Sequence, residues 1–118
     1  MADLTFGAHV TPIKDLDRAV EFYSELLGLT VKMKNETIAI LDGGAAEVWL
    51  YDYGGALEPG GPTQLVFFVS GGIEEYEKRI RNAGCSFVEE MHTDPLGRCF
   101  IFLDSEGTAV EIRQLATS

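Results

Sequence analysis

Glu111 stands in an apolar run, between Val110 and Ile112 and shortly after Gly107. A carboxylate buried in such a strand is costly unless it meets a cation or a metal. The bland alternative is a strand-edge side chain in water. Glu47, Trp49, Tyr51 and Tyr53 recur at every second residue, a spacing that puts them on one side of a strand. Such an aromatic stripe can stack on a flat or apolar ligand, or simply fill a sheet surface. His92-Thr-Asp-Pro-Leu-Gly97-Arg98 has loop composition; there Arg98 suits an anionic substrate and His92 suits proton transfer, against the plain alternative of a solvated turn. With only His9 and His92, no Ser-His-Asp arrangement can be drawn. Gly54-Gly55 and Gly60-Gly61 precede no helix, so phosphate binding by a glycine-rich loop is unsupported.

These side chains depend on short elements for their position. Leu4–Ile13 has strand character, with Pro12 near its end, where a missing donor or a bulge is tolerated. Asp15 can cap the helix that follows, in which Leu16, Ala19, Val20, Tyr23, Leu26 and Leu27 share a face, and Gly28 can stop it. Thr30–Lys34, Thr37–Leu41 and Glu47–Tyr53 read as strands separated by turn residues. After a Gly/Pro-rich linker the order begins again. Thr63–Val69 is a strand, Ile73, Tyr76, Ile80 and Ala83 mark a helix stopped by Gly84, and Ser86–Glu90, Cys99–Leu103 and Ala109–Gln114 are strands. Phe100 and Phe102 read as core, and Met33 as strand packing.

The pattern is a βαβββ unit written twice, with the glycine stops 56 residues apart. It divides the chain into module one at about 4–53, a linker at 54–62 and module two at about 63–114. One helix covers only one face of each sheet, so the other must be buried elsewhere or enclose something. The repeat also exposes a register problem: superposition on Gln64 selects Ala8 rather than His9, and a one-residue slip turns a strand side chain to the opposite face. A bulge near Pro12 would restore His9.

At 118 residues, 46% of them hydrophobic, the chain is one domain of ordinary globular composition. Its net charge of −10, from 19 acidic and 9 basic residues, disfavours nucleic acid and anionic membrane surfaces as partners. No apolar run approaches the roughly 20 residues of a membrane span, and no basic-then-apolar leader opens the sequence, so a cytoplasmic location is expected. Cys85 and Cys99 lack Cys-x-x-Cys spacing and read as packed thiols.

Two stretches, Asp15-Leu-Asp-Arg-Ala-Val-Glu-Phe-Tyr23 through Leu27-Gly28 and Asp104-Ser-Glu-Gly-Thr-Ala-Val-Glu111-Ile112, taken in that order, resemble the vicinal oxygen chelate superfamily of glyoxalase, bleomycin-resistance and extradiol dioxygenase proteins. The resemblance implies an α+β fold of two βαβββ modules whose curled mixed sheets form a funnel-shaped cavity. It also implies metal ligands on the first and last strands of each half, which selects His9, Glu47, Gln64 and Glu111. That donor set suits a divalent ion such as Zn²⁺, Ni²⁺, Co²⁺, Mn²⁺ or Fe²⁺.

Three activities follow from the resemblance. A metal-dependent lyase or isomerase of the glyoxalase I type would hold vicinal oxygens on the ion, with Glu111 or Glu47 as general base. A metal-free binding protein of the bleomycin-resistance type would sequester a planar or cationic small molecule against Trp49 and Tyr51, with Arg98 at the pocket. An extradiol-type dioxygenase would need two histidines and a carboxylate on iron, which Gln64 does not favour. A homodimer is expected by the same analogy.

Overall fold

The computed structural model describes residues 6–61 and 63–116, so Leu4 and Thr5 of the first expected strand and Pro62 of the linker lie outside the described residues. The chain divides into two compact units, Met1–Pro59 and Gly60–Ser118. In the first, β1 (Ala8–Pro12), α1 (Leu16–Glu21), β2 (Thr30–Lys34), β3 (Ile38–Asp42) and β4 (Glu47–Tyr51) form a sheet of order β1-β4-β3-β2. In the second, β5 (Gln64–Val69), α2 (Ile73–Asn82), β6 (Phe87–Asp94), β7 (Gly97–Leu103) and β8 (Ala109–Leu115) form the equivalent order β5-β8-β7-β6. Each sheet is mixed: its first strand runs parallel to its last, and the other pairs are antiparallel. Both units are βαβββ.

Local chemistry accounts for the helices. The Asp15 carboxylate accepts the Arg18 amide at 3.1 Å, satisfying a donor that the first turn leaves unpaired. After Glu21, α1 widens into a π-helical turn over Phe22–Leu26, in which the Leu27 amide reaches back to the Phe22 carbonyl. Gly28, at φ +83°, then reverses the chain, and Gly84, at φ +81°, does the same after α2.

Each helix packs on the middle of its own sheet. Leu16, Ala19 and Tyr23 meet Ala39, Leu41, Val48 and Leu50 as the buried core of the first unit; Ile73, Ile80, Leu65, Phe100, Phe102, Val110 and Ile112 are buried in the second. Met33 differs from its expected packing role and is 43% exposed, because β2 is the edge strand and carries a bulge. Among the described residues, no helix is long and apolar enough to cross a membrane.

The sequence over 92–98 departs from its loop reading. His92, Thr93 and Asp94 extend β6, Gly97 and Arg98 begin β7, and only Pro95 and Leu96 turn between them. Glycine makes this hairpin possible. Gly97 has φ +136°, and a Cβ there would lie 2.2 Å from the Gln114 carbonyl oxygen. Gly84 has the same need for a left-handed backbone but open space around it. Gly84→Ala should therefore cost about 1–2 kcal/mol, whereas Gly97→Ala adds overpacking of about 1–3 kcal/mol. Urea unfolding midpoints of the two variants check the order.

Candidate functional site

In the second unit, pairing places Gln64, Val66 and Phe68 of β5 on the same sheet face as Ala109, Glu111 and Arg113 of β8. Cys99 and Ile101 of β7 pair with Arg113 and Glu111 on that face, and His92 and Asp94 of β6 join them. This is the face turned away from α2. The helix-facing side holds Leu65, Val110 and Ile112, and there Gln114 accepts the Ile73 amide at 3.3 Å.

Glu111 and Arg113 are 8% and 7% exposed, so their charges must be matched within the protein. They are. The Gln64 amide nitrogen donates to Glu111 Oε1 at 2.7 Å, and Arg113 Nε donates to Glu111 Oε2 at 2.7 Å. The two remaining guanidinium nitrogens donate to the two oxygens of Asp94, each at 2.8 Å, in a bidentate pair. Arg113 holds the Asp94 carboxyl far below the usual carboxylate range, and the two acids raise the guanidinium in turn. Arg113 Nη2 also lies 3.1 Å from Cys99 Sγ, whose thiol is pushed up mainly by burial.

His92 adds to this cluster. Its Nε2 is 3.5 Å from Cys99 Sγ and 3.4 Å from a Glu89 oxygen, while Nδ1 lies 2.8 Å from the Glu90 carbonyl oxygen. Arg98 is directed elsewhere: it pairs with Glu74 of α2 at 2.5 Å, on the helix side of the sheet.

The first unit carries a different set. Glu47, Trp49 and Tyr51 of β4 share a face with Ala8, Val10 and Pro12 of β1 and with Ile38 and Ile40 of β3. The Glu47 carboxylate accepts the Trp49 indole N–H at 2.9 Å and is paired with Lys32. Lys32, and then Trp49, hold its carboxyl below the ordinary range. Tyr51 packs against Tyr53 at a centroid separation of 4.5 Å. His9 pairs with Val48, and so belongs to the opposite, helix-covered face, where its Nδ1 lies 3.1 Å from the buried Thr11 hydroxyl. The β1/β4 register runs without interruption from Ala8 to Pro12, so no bulge turns His9 around.

A family model described as the Glyoxalase/Bleomycin resistance protein/Dioxygenase superfamily matches residues 7–112, nearly the whole chain. The chain belongs to this superfamily. Solved structures agree on the fold. An antibiotic-binding protein, TnmS3 from Streptomyces sp. CB03234, has a TM-score of 0.84 at 20% identity, covering 98% of this chain and 99% of that one. Lactoylglutathione lyase from Agrobacterium tumefaciens has a TM-score of 0.79 at 19% identity, covering 93% and 92%. Virulence protein STM3117 from Salmonella typhimurium has a TM-score of 0.74 at 25% identity, covering 98% and 100%. No curated protein matches the sequence.

Members of the superfamily commonly bind divalent metals. Of the four residues that the resemblance selects, the structure brings Gln64 and Glu111 into contact and keeps His9 on the face opposite Glu47. Within each unit Ala8 opens β1 as Gln64 opens β5, so Ala8 pairs with Glu47 as Gln64 pairs with Ala109. Two residues further along, Trp49 takes the place of Glu111. The matched positions of the first unit are thus alanine and tryptophan, and neither can ligate a metal. Both oxygens of Glu111 are already engaged by donors. Within the first unit, His9 and Glu47 do not present their side chains on one face.

Arg113 was not selected by sequence reasoning, although its spacing from Glu111 was a usable signal: residues i and i+2 of a strand share a face.

The network has a pH signature. An unfolded Asp94 titrates near pH 4, and its folded value is lower. Its contribution is therefore complete above about pH 5 and disappears as pH falls through the folded-state value. Asp94→Asn should flatten the acid limb of the stability curve, followed by urea unfolding between about pH 6 and pH 3. Arg113→Gln, which strips a buried carboxylate of its cation, should cost about 3 kcal/mol at neutral pH.

Proposed function

We propose that the chain is a metal-independent binding protein for a small, flat organic molecule, apolar or cationic in character. The observation that carries this reading is the engagement of both Glu111 oxygens by Gln64 and Arg113. A general base or ligand must have a lone pair to offer, and this carboxylate has already committed one acceptor site on each oxygen to a donor inside the protein. Glu47 is engaged in the same way by Lys32 and Trp49. Trp49 and Tyr51, with Val10, Ile38 and Ile40 beside them, supply a half-buried surface on which an aromatic ligand can stack. The net charge of −10 favours approach of a cationic one. The similarity to an antibiotic-binding protein over the full length of both chains is consistent with the same class of role.

Titration of the protein with a library of planar and cationic aromatic compounds should quench Trp49 fluorescence, and a chelator should leave the response unchanged. Trp49→Ala, followed by calorimetry, should weaken binding about tenfold through loss of stacking. Absence of any response across the library removes this proposal.

A metal-dependent lyase or isomerase is the second candidate, supported by the 2.7 Å contact of Gln64 with Glu111 on the strands where the superfamily places ligands. It requires about one divalent ion per chain that is lost in Glu111→Ala, together with turnover that a chelator abolishes. A homodimer is part of the proposal for either activity: light scattering should report twice the 12.9 kDa of one chain.

A further inference from the structure

A second group of donors lies beside Arg113 and takes no part in the proposed binding. The ligand atoms of His92, Asp94 and Cys99 all lie within 4.8 Å of one another. Cys99 Sγ is 3.5 Å from His92 Nε2 and 4.0 Å from Asp94 Oδ2. Those separations are close to the edges of a tetrahedron with about 2.3 Å metal–sulfur and about 2.0–2.2 Å metal–nitrogen and metal–oxygen bonds.

Two further features match such a centre. His92 Nδ1 lies 2.8 Å from the Glu90 carbonyl oxygen. A carbonyl only accepts, so Nδ1 carries the proton and the Nε2 lone pair is left toward Cys99 and Asp94. This is the outer hydrogen bond that orients ligating histidines. The second feature is that positive charge already sits between the other two donors. One guanidinium nitrogen, Arg113 Nη2, contacts Asp94 Oδ2 at 2.8 Å and Cys99 Sγ at 3.1 Å.

We propose that His92, Asp94 and Cys99 form a site for a thiophilic divalent cation such as Zn²⁺, in competition with the Nη2 end of Arg113. On binding, the Cys99 thiol releases its proton to solvent and the metal–sulfur bond forms. The guanidinium leaves the space between sulfur and carboxylate while its Nε keeps the bond to Glu111, 2.7 Å long in this structure. Water fills the fourth position, and Glu89, 3.4 Å from His92 Nε2, flanks the site outside the group of mutually close donors. The site is distinct from the superfamily set on the first and last strands, since His92, Asp94 and Cys99 belong to β6 and β7.

Cobalt(II) tests it, using Cys85→Ser as the parent so that Cys99 is its single thiol. Titration of the parent should produce a thiolate-to-cobalt charge-transfer absorption that saturates at one equivalent and is displaced by Zn²⁺. Cys99→Ser should abolish the band, and His92→Ala should weaken binding at least tenfold. Arg113→Gln should tighten binding at least tenfold, because it removes the competing cation; circular dichroism establishes that this variant is folded. Should it not fold, the otherwise unmodified Cys85→Ser protein decides through a second measurement, in which Zn²⁺ should slow modification of Cys99 by a thiol reagent.

A parent without the band and without protection overturns the proposal. So does an ion that survives Cys99→Ser and is lost in Glu111→Ala, which would instead belong to the superfamily set. Neither result bears on Trp49 quenching in the presence of chelator, so this site and the proposed binding function stand or fall separately.

Discussion

The guanidinium of Arg113 is the interaction on which the second unit depends. It joins Glu111 on its own strand to Asp94 at the far edge of the sheet, and it touches Cys99 on the strand between them. A single buried cation thus ties three strands together by charge where the opposite face ties them by apolar packing. Isolated buried ion pairs often add little net stability, because desolvation offsets attraction. Here every nitrogen of the side chain meets an acceptor, two of them in fork geometry on Asp94, so removing the guanidinium leaves the buried Glu111 carboxylate without its cation. Specific placement of side chains is what such a network provides.

The first unit solves the same problem of a half-covered sheet differently. Its exposed-side chemistry is aromatic and aliphatic, with one carboxylate held by Lys32 and the Trp49 indole. The two units repeat in topology and diverge in the character of the face that the helix leaves bare.

Most of the architecture was legible in the sequence because it rests on short-range signals. Gly28 and Gly84 mark helix ends by backbone conformation alone, and the apolar spacing of each helix follows from its period. Glu111 was legible as an acid that needs a partner, since its neighbours are apolar. What it meets was not legible, because partner choice depends on register across strands. The β6 strand illustrates the reason. Two irregularities interrupt its pairing with β7, and the one between Glu89 and His92 reverses the alternation. His92 and Asp94, rather than Met91 and Thr93, therefore share the face of Glu89. Proline and glycine gave residues 92–98 the composition of a loop, yet those residues occupy only the tip and flanks of a tight hairpin. His9 shows the converse: its parity could be read from the spacing to Gly28, and the observed register follows that spacing.

The substitution of tryptophan for glutamate at matched positions of the two halves has an evolutionary consequence. A duplicated module starts with every constraint doubled, and each copy must satisfy its own fold. Because the Arg113 lattice resides in one copy alone, the bare face of the other can change without disturbing it, provided that the Glu47 carboxylate keeps donors such as Lys32 and Trp49. Tolerance to substitution is thereby unequal along the chain: aliphatic and aromatic packing bounds change on the first bare face, and charge balance bounds it on the second.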